Sequence, residues 1–450
     1  VQFGRTPWIV VAAAMVLGGL LAPPAAVAGR AFEVPPALRP QVDFWKDIFA
    51  TYSKRHVVIH DTERPDRIYS VLDFRDLDQR GLGEVAIEHV MRDTVEQEKK
   101  RIRRLLLRLD RGDARPTPDE ERIRDLFRDD PSPRRFLAAA AADRIRSQTG
   151  LRERFARGIA IGHRYFPEME AIFRREGIPV QITRLPLVES CFNVHAYSKV
   201  GAAGVWQFMP ATARHFMRID EAIDERLDPI VSTRAAARFL RQNYERLGTW
   251  PLAIMAYNHG PGGIARAVRQ LGTTDVTAII ERYDGRAFKF ASRNFYPEFL
   301  AALEVERNHD DYFGPLPLDP PLRADVVRLQ HYVSLKTVGR CAGGVDQIDD
   351  LNPGLLPAVR AGKQYIPSGY RLRLPAGRRK SFERCYAEVP AHLKFARQKR
   401  QYVTHRVRRG QTLGQIARRY GLSVEELQKR NGLRSKDLIR VGQVLRIPTS

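Results

Sequence analysis

The sequence predicts a mainly α protein that ends in small α+β modules. Three observations lead there. Apolar residues recur at helical spacing from about residue 40 to 313. Gly and Pro cut that stretch into short segments. After about Pro315 the order changes to strand, helix, helix, strand. The chain has 450 residues, 43% of them hydrophobic, enough for two or three packed cores.

Residues 1–28 read as a secretory signal peptide. Arg5 precedes the apolar run "WIVVAAAMVLGGLLAPPAAVAG", and Ala26 and Ala28 frame a cleavage site. Pro23 and Pro24 argue against a continuous spanning helix. Export to the periplasm or cell envelope is expected, with membrane association only if the segment stays uncleaved. Lys plus Arg number 75 against 52 for Asp plus Glu, a net charge of +23, which favours polyanionic partners. Export makes nucleic acid a poor candidate and leaves the cell wall and membrane surface.

Residues 29–149 are expected to form a charged, helical N-terminal region, with Ile87, Val90, Met91, Thr94 and Val95 as one stripe. In "HVVIHDTE", His56 and His60 read as solvated residues of a strand or loop. Nothing supplies the further ligands of a metal site, and no metal or cofactor is expected.

Residues 150–313 read as a compact all-α domain of short helices. Asp228 is an N-cap before Pro229, and Ala236, Leu240, Tyr244 and Leu247 share a face. Gly248 stops that helix and Thr249 opens the next, which holds "AIMAYN".

A Pro-rich connector, "PLPLDPPLRADVV", leads to a vaguer module at 324–375 and a basic linker at 376–400. Residues 401–449 then give a βααβ module, with Ser423 and Glu426 as a capping box. Cys341 and Cys385 lie 44 residues apart, and two readings stand: a disulfide, or two partly buried thiols. Cys191 has no evident base beside it and reads as a buried structural thiol.

Chemistry concentrates in the helical domain. In "LPLVESCFN", Glu189 sits among Leu185, Leu187, Val188 and Phe192. Burial disfavours an ionised carboxylate and raises its pKa, which suits a general acid for glycosidic cleavage. Gln207 in "GVWQFMPATA" follows 18 residues later, and Tyr257 in "AYNHG" a further 50. A second carboxylate is usual in glycosidases. Asp220, Asp224, Glu225 and Asp228 are candidates, but the last three read as capping and solvated charges before a helix.

The ordered set "ESCFN…YSKVGAAGVWQFMPATA…AYNHG" resembles the lysozyme-like lytic transglycosylases of peptidoglycan, most closely the membrane-bound lytic transglycosylase D type. The resemblance implies a lysozyme-like all-α catalytic domain in which Glu189 is the only catalytic carboxyl. It implies that Ser198 and Tyr257 hydrogen-bond to Glu189. Gln207, Phe208, Met209, Asn258 and Tyr296 would line sugar subsites. The sequence departs from the family's "ETRxYV": here it reads "ASRNFY", with Ala291 for Glu and Ser292 for Thr. The C-terminal module resembles LysM, a binder of N-acetylglucosamine polymers. That resemblance implies glycan contacts from Gly410, Gln411, Thr412, Leu413 and Asn431, with Gln411 replacing a usual Asp. Residues 324–375 resemble a degenerate LysM. The expected partner is the peptidoglycan glycan strand. The competing readings are a hydrolytic muramidase using the same Glu189 and a wall-binding scaffold without turnover.

Overall fold

The computed structural model describes residues 32–112, 116–399, 402–433 and 439–448; the signal-peptide reading falls outside them. The described chain is mainly helical, with three small antiparallel sheets.

The N-terminal region is mixed rather than helical throughout. It holds a sheet of order β2-β1-β3, built from β1 (His56–Asp61), β2 (Ile68–Asp73) and β3 (Ile145–Thr149). The β-branched run Val57-Val58-Ile59 favours the central strand, and it is buried on both faces. The long helix Glu84–Arg111 lays Ile87, Val95, Ile102 and Leu106 inward, whereas Val90 is exposed.

His60 is fully buried, not solvated. Its ring lies 4.7 Å from Phe44, its Nδ1 donates to the Asp61 carbonyl at 2.9 Å, and desolvation lowers its pKa to about 4. Asp61 is buried with it. Its carboxylate accepts from the Tyr69 hydroxyl at 3.0 Å and from Arg144 at 2.9 Å. Among the described residues, no group of three His, Cys, Asp or Glu could hold a metal ion.

This region shares one core with the helices that follow. Helix Arg39–Ala50 packs along the central helix Phe290–Arg307, and Trp45 Nε1 donates to Asn294 Oδ1 at 3.0 Å. Phe49 stacks on Phe155 of helix Arg152–Arg175 at 4.5 Å.

The next unit pairs β4 (Ala324–Arg328) with β5 (Arg371–Pro375) around helices Leu335–Ala342 and Val345–Leu351. The basic stretch 376–400 is no solvated linker. It forms helix Arg379–Glu388, buries Phe382 in this unit's core, and is disulfide-bonded through Cys385 to Cys341. Phe395 stacks on Tyr365 at 4.3 Å. The basic side chains hide the signal, because charged heads reach water while an apolar stripe packs beneath them.

This unit is docked on the helical domain. Ala222 and Ile223 enter its core, Asp224 N donates to Gly354 O at 2.9 Å, and Leu356 N donates to Ala222 O at 3.0 Å. Asp224 and Asp228 are therefore buried, not solvated. Asp228 Oδ1 caps helix Pro229–Leu247 by accepting from Ile230 N and Val231 N at 3.0 Å each. The same carboxylate accepts from Arg373 Nη2 at 3.0 Å, with both side chains under a tenth exposed.

The last unit pairs β6 (Tyr402–Arg406) with β7 (Val444–Pro448) around helices Leu413–Arg419 and Val424–Asn431. Both helices start with capping boxes, Thr412 with Gln415 and Ser423 with Glu426.

Removing one partner of a buried ion pair leaves an uncompensated charge and costs about 3–5 kcal/mol. Arg373→Met is expected to lower unfolding stability by roughly that amount. The double variant Arg373→Met with Asp228→Asn should recover most of the loss, because Asn still caps. Urea titration followed by circular dichroism checks both.

Candidate active site

Glu189 is the penultimate residue of the short helix Leu185–Ser190, whose Leu185, Pro186 and Leu187 are buried. The chain then turns sharply. Cys191 and Phe192 adopt left-handed conformations with φ of 48° and 54°, and Phe192 drops into the core. Gly158 permits this: a Cβ there would lie 2.6 Å from the Cys191 carbonyl oxygen.

A second loop is tied to this turn through Ser190. Gly204, with φ of 75°, lies so close to Arg226 O that a Cβ would sit 1.8 Å from it. Arg226 clamps this loop, donating to Gly201 O at 2.7 Å and Phe208 O at 3.0 Å while pairing with Asp224 at 2.8 Å. Ser190 Oγ ties the two loops by donating to Val205 O at 3.1 Å. Gln207 has φ of 46°. Among the described residues, Cys191, Phe192 and Gln207 are the non-glycine residues with positive φ. Such strain persists only where surrounding structure enforces it, and it clusters at functional sites.

Glu189 is half-buried, and among the described residues no hydrogen bond reaches its carboxyl. Desolvation pushes its pKa up to about 8, with a further push from the Glu298 charge. Glu298 lies on the central helix and was missed in the sequence. It is half-buried, and desolvation raises it to about 8, against a lowering effect of Arg146 from β3. Its signal was present: Glu298 sits in "FYPEFL", a carboxyl in an apolar run like that around Glu189.

The other candidates divide. Tyr257 stands beside Glu189, whose charge adds to the burial that raises the tyrosine pKa. Its hydroxyl, however, donates to Trp206 O at 2.8 Å. Ser198 is spent on its own loop, where its Oγ accepts from Ala202 N at 2.8 Å. Gln207 Nε2 donates to Gly204 O at 2.8 Å, which fixes the strained loop. Met209 is 42% exposed and Asn258 is exposed, so both are accessible to a ligand. Phe208 and Tyr296 are 3% and 2% exposed and are corrected to core residues, since no ligand reaches them. His259 Nδ1 meets Ser292 Oγ at 2.9 Å, which joins "AYNH" to the departed stretch beside Ala291.

In the last unit, Leu413 is 1% exposed and is likewise corrected to core. Thr412 caps its helix, and Gln411 Oε1 accepts from Arg408 N at 2.9 Å across the Gly410 turn. Asn431 holds β7, donating to Arg446 O at 2.9 Å and accepting from Arg446 N at 2.7 Å.

A carboxyl with a raised folded-state pKa contributes stability below its unfolded value, which is lost as pH rises through the folded value. For Glu189 that window runs from 4.5 to about 8. Glu189→Gln removes the term. Its melting temperature is expected to exceed wild type increasingly between pH 5 and pH 8, and the excess should level off above, as scanning calorimetry would record.

Comparison with known proteins bears on this site. The family model "Transglycosylase SLT domain" matches residues 169–280, which hold Glu189, Gln207 and Tyr257, and the "LysM domain" model matches 405–448. The membrane-bound lytic murein transglycosylase D of Escherichia coli K12 is 30% identical over 286 residues, 61% of this chain and 61% of that protein. The soluble lytic murein transglycosylase of Salmonella typhimurium is 32% identical over 128 residues, 27% of this chain and 19% of that protein. Among solved structures, the 70 kDa soluble lytic transglycosylase of Escherichia coli aligns with a TM-score of 0.29 and 24% identity, over 34% of this chain and 25% of that one. The matches thus span less than two thirds of these relatives' lengths. In order along the chain, residues 169–280 thus match the transglycosylase SLT domain model and residues 405–448 the LysM domain model.

Proposed function

We propose that the protein is an exported peptidoglycan lytic transglycosylase of the cell envelope. It would cleave the β-1,4 bond between N-acetylmuramic acid and N-acetylglucosamine without water. The carrying observation is the Glu189 carboxyl, free of hydrogen bonds among the described residues and raised to about 8, and so protonated at neutral pH. Glu189 protonates the glycosidic oxygen as the bond to C1 breaks. The resulting carboxylate takes the proton from the muramoyl 6-hydroxyl, whose oxygen closes on C1. The product is a 1,6-anhydromuramoyl end. Because the attacking hydroxyl belongs to the substrate, proximity replaces an activated water. The LysM domain would hold the enzyme on glycan strands and raise the effective substrate concentration.

One observation favours a second reading. Glu298 is a further carboxyl near Glu189, and once ionised, above about pH 8, such a group would serve as base for water in a hydrolytic muramidase.

Mass spectrometry of muropeptides released from purified sacculi separates the two. Anhydromuropeptides, lighter by one water than hydrolysed ones, are expected from the wild type. Glu189→Gln should reduce release by at least about 100-fold, the usual scale of a lost general acid. Reducing-end products would instead establish hydrolysis. Sacculus binding without soluble products would leave only a scaffold.

The pH profile adds a second check. Activity needs protonated Glu189 and is expected to fall as pH rises through about 8. Glu298→Gln removes the neighbouring charge that raises Glu189, so the alkaline limb should move to lower pH.

A further inference from the structure

Helix Trp250–His259 ends with Asn258 and His259, which meet the central helix at Ser292. His259 Nδ1 lies 2.9 Å from Ser292 Oγ, and Ser292 Oγ lies 3.5 Å from Asn258 Oδ1. The three side chains form one line from a half-buried ring, through a buried hydroxyl, to an exposed amide. Asn258 follows Tyr257, which stands beside Glu189, so the amide belongs to the surroundings of that carboxyl.

The ring is closely held. It meets Phe288 at 86°, with centroids 5.2 Å apart. Its Cδ2–Nε2 edge rests on Gly263 of helix Pro261–Leu271, where a Cβ would lie 2.3 Å from Cδ2 and 2.5 Å from Nε2. Burial lowers the pKa of His259, and the Arg266 charge lowers it further. The ring is therefore neutral at pH 7 and carries one N–H.

With one hydrogen on the ring and one on the hydroxyl, the line can run two ways. If Nδ1 holds the ring proton, it donates to Ser292 Oγ, and the hydroxyl donates to Asn258 Oδ1. The Asn258 amino group, with its two N–H donors, then faces outward. If Nε2 holds the proton, the hydroxyl donates to Nδ1, and the amide is turned over with its carbonyl outward. That second arrangement leaves the Nε2–H against Gly263, with no acceptor among the described residues. A packed donor without an acceptor is costly, so the first arrangement is favoured.

We propose that His259 and Ser292 are positioning residues for Asn258. They run a relay from Nδ1–H through the Ser292 hydroxyl to Asn258 Oδ1, which holds the amide with Nδ2 outward. Asn258 then donates from Nδ2 to an oxygen of the glycan beside Glu189. Naming the glycan rests on the proposed function; the relay does not. Released from Ser292, the amide would sample both orientations, and only one of them offers donors. The loss falls on binding alike in ground and transition states, so it appears in KM and spares kcat.

The first test is NMR of the full chain labelled with 13C-histidine, in which the Cδ2 shift reports the tautomer. The difference from His259→Phe identifies the signal. The Nδ1–H form is expected in the wild type, and Ser292→Ala should move the signal toward the Nε2–H form. The second test is turnover of soluble peptidoglycan strands. Ser292→Ala and His259→Phe should each raise KM about three- to tenfold, the scale of one net hydrogen bond, with kcat within about twofold. Ser292→Thr keeps the hydroxyl and His259→Asn keeps a donor near the Nδ1 position, so both should stay near wild type. In an Asn258→Ala background, Ser292→Ala should raise KM no further, because the residue it positions is gone. An Nε2–H tautomer in the wild type, a fall in kcat that matches the rise in KM, or an undiminished effect without Asn258 would overturn the inference. Absence of turnover in the wild type would overturn the proposed function instead, and the tautomer and its response to Ser292→Ala would still decide the relay.

Discussion

The structure is organised around a half-buried carboxyl that, among the described residues, is given no hydrogen-bond partner. Burying Glu189 is unfavourable for its ionised form, and the surrounding fold has to supply the compensation. Phe192 and Trp206 are fully buried around it, and two strained loops are held by Arg226, Ser190 and Gln207. The result is a proton donor poised at neutral pH, set by packing and not by an ion pair.

That arrangement extends past the helical domain. The segment 218–228 is fixed on one side by Arg226, which grips the Gln207 loop, and on the other by the 324–398 unit through Asp224 and Asp228. Arg146 reaches Glu298 from the opposite end, out of the N-terminal sheet. Three parts of the chain thus bear on the surroundings of Glu189. The 324–398 unit is integral to this body, because its core includes Ala222 and Ile223.

Within a chain of net charge +23, three aspartates are buried. Asp61, Asp224 and Asp228 are each satisfied by an arginine and by backbone amides or a hydroxyl. Each holds together elements distant in sequence or closes a loop. In the sequence they look like ordinary acidic residues at helix starts or strand ends, since capping and ion pairing use the same side chain.

Much of the local structure was legible. Asp228 before Pro229, Gly248 after Leu247 and the Ser423–Glu426 box mark helix ends in the structure too, because caps act within one turn. Glu189 stood out because a carboxylate in an apolar run needs a reason. Other features could not be read, since they depend on partners far along the chain. Examples are the sheet that buries His60, the placement of Phe208, Tyr296 and Leu413 in cores, and the packing of 376–400. By itself the sequence determined the mainly helical class, a few helix ends and the acid candidate, through short-range propensity and pattern. Only the tertiary structure decided which charges are buried, that Glu298 lies near Glu189, and that Ser198 bonds its own loop. Desolvation and Coulomb interaction depend on distance in space, and spacing along a chain does not fix that distance.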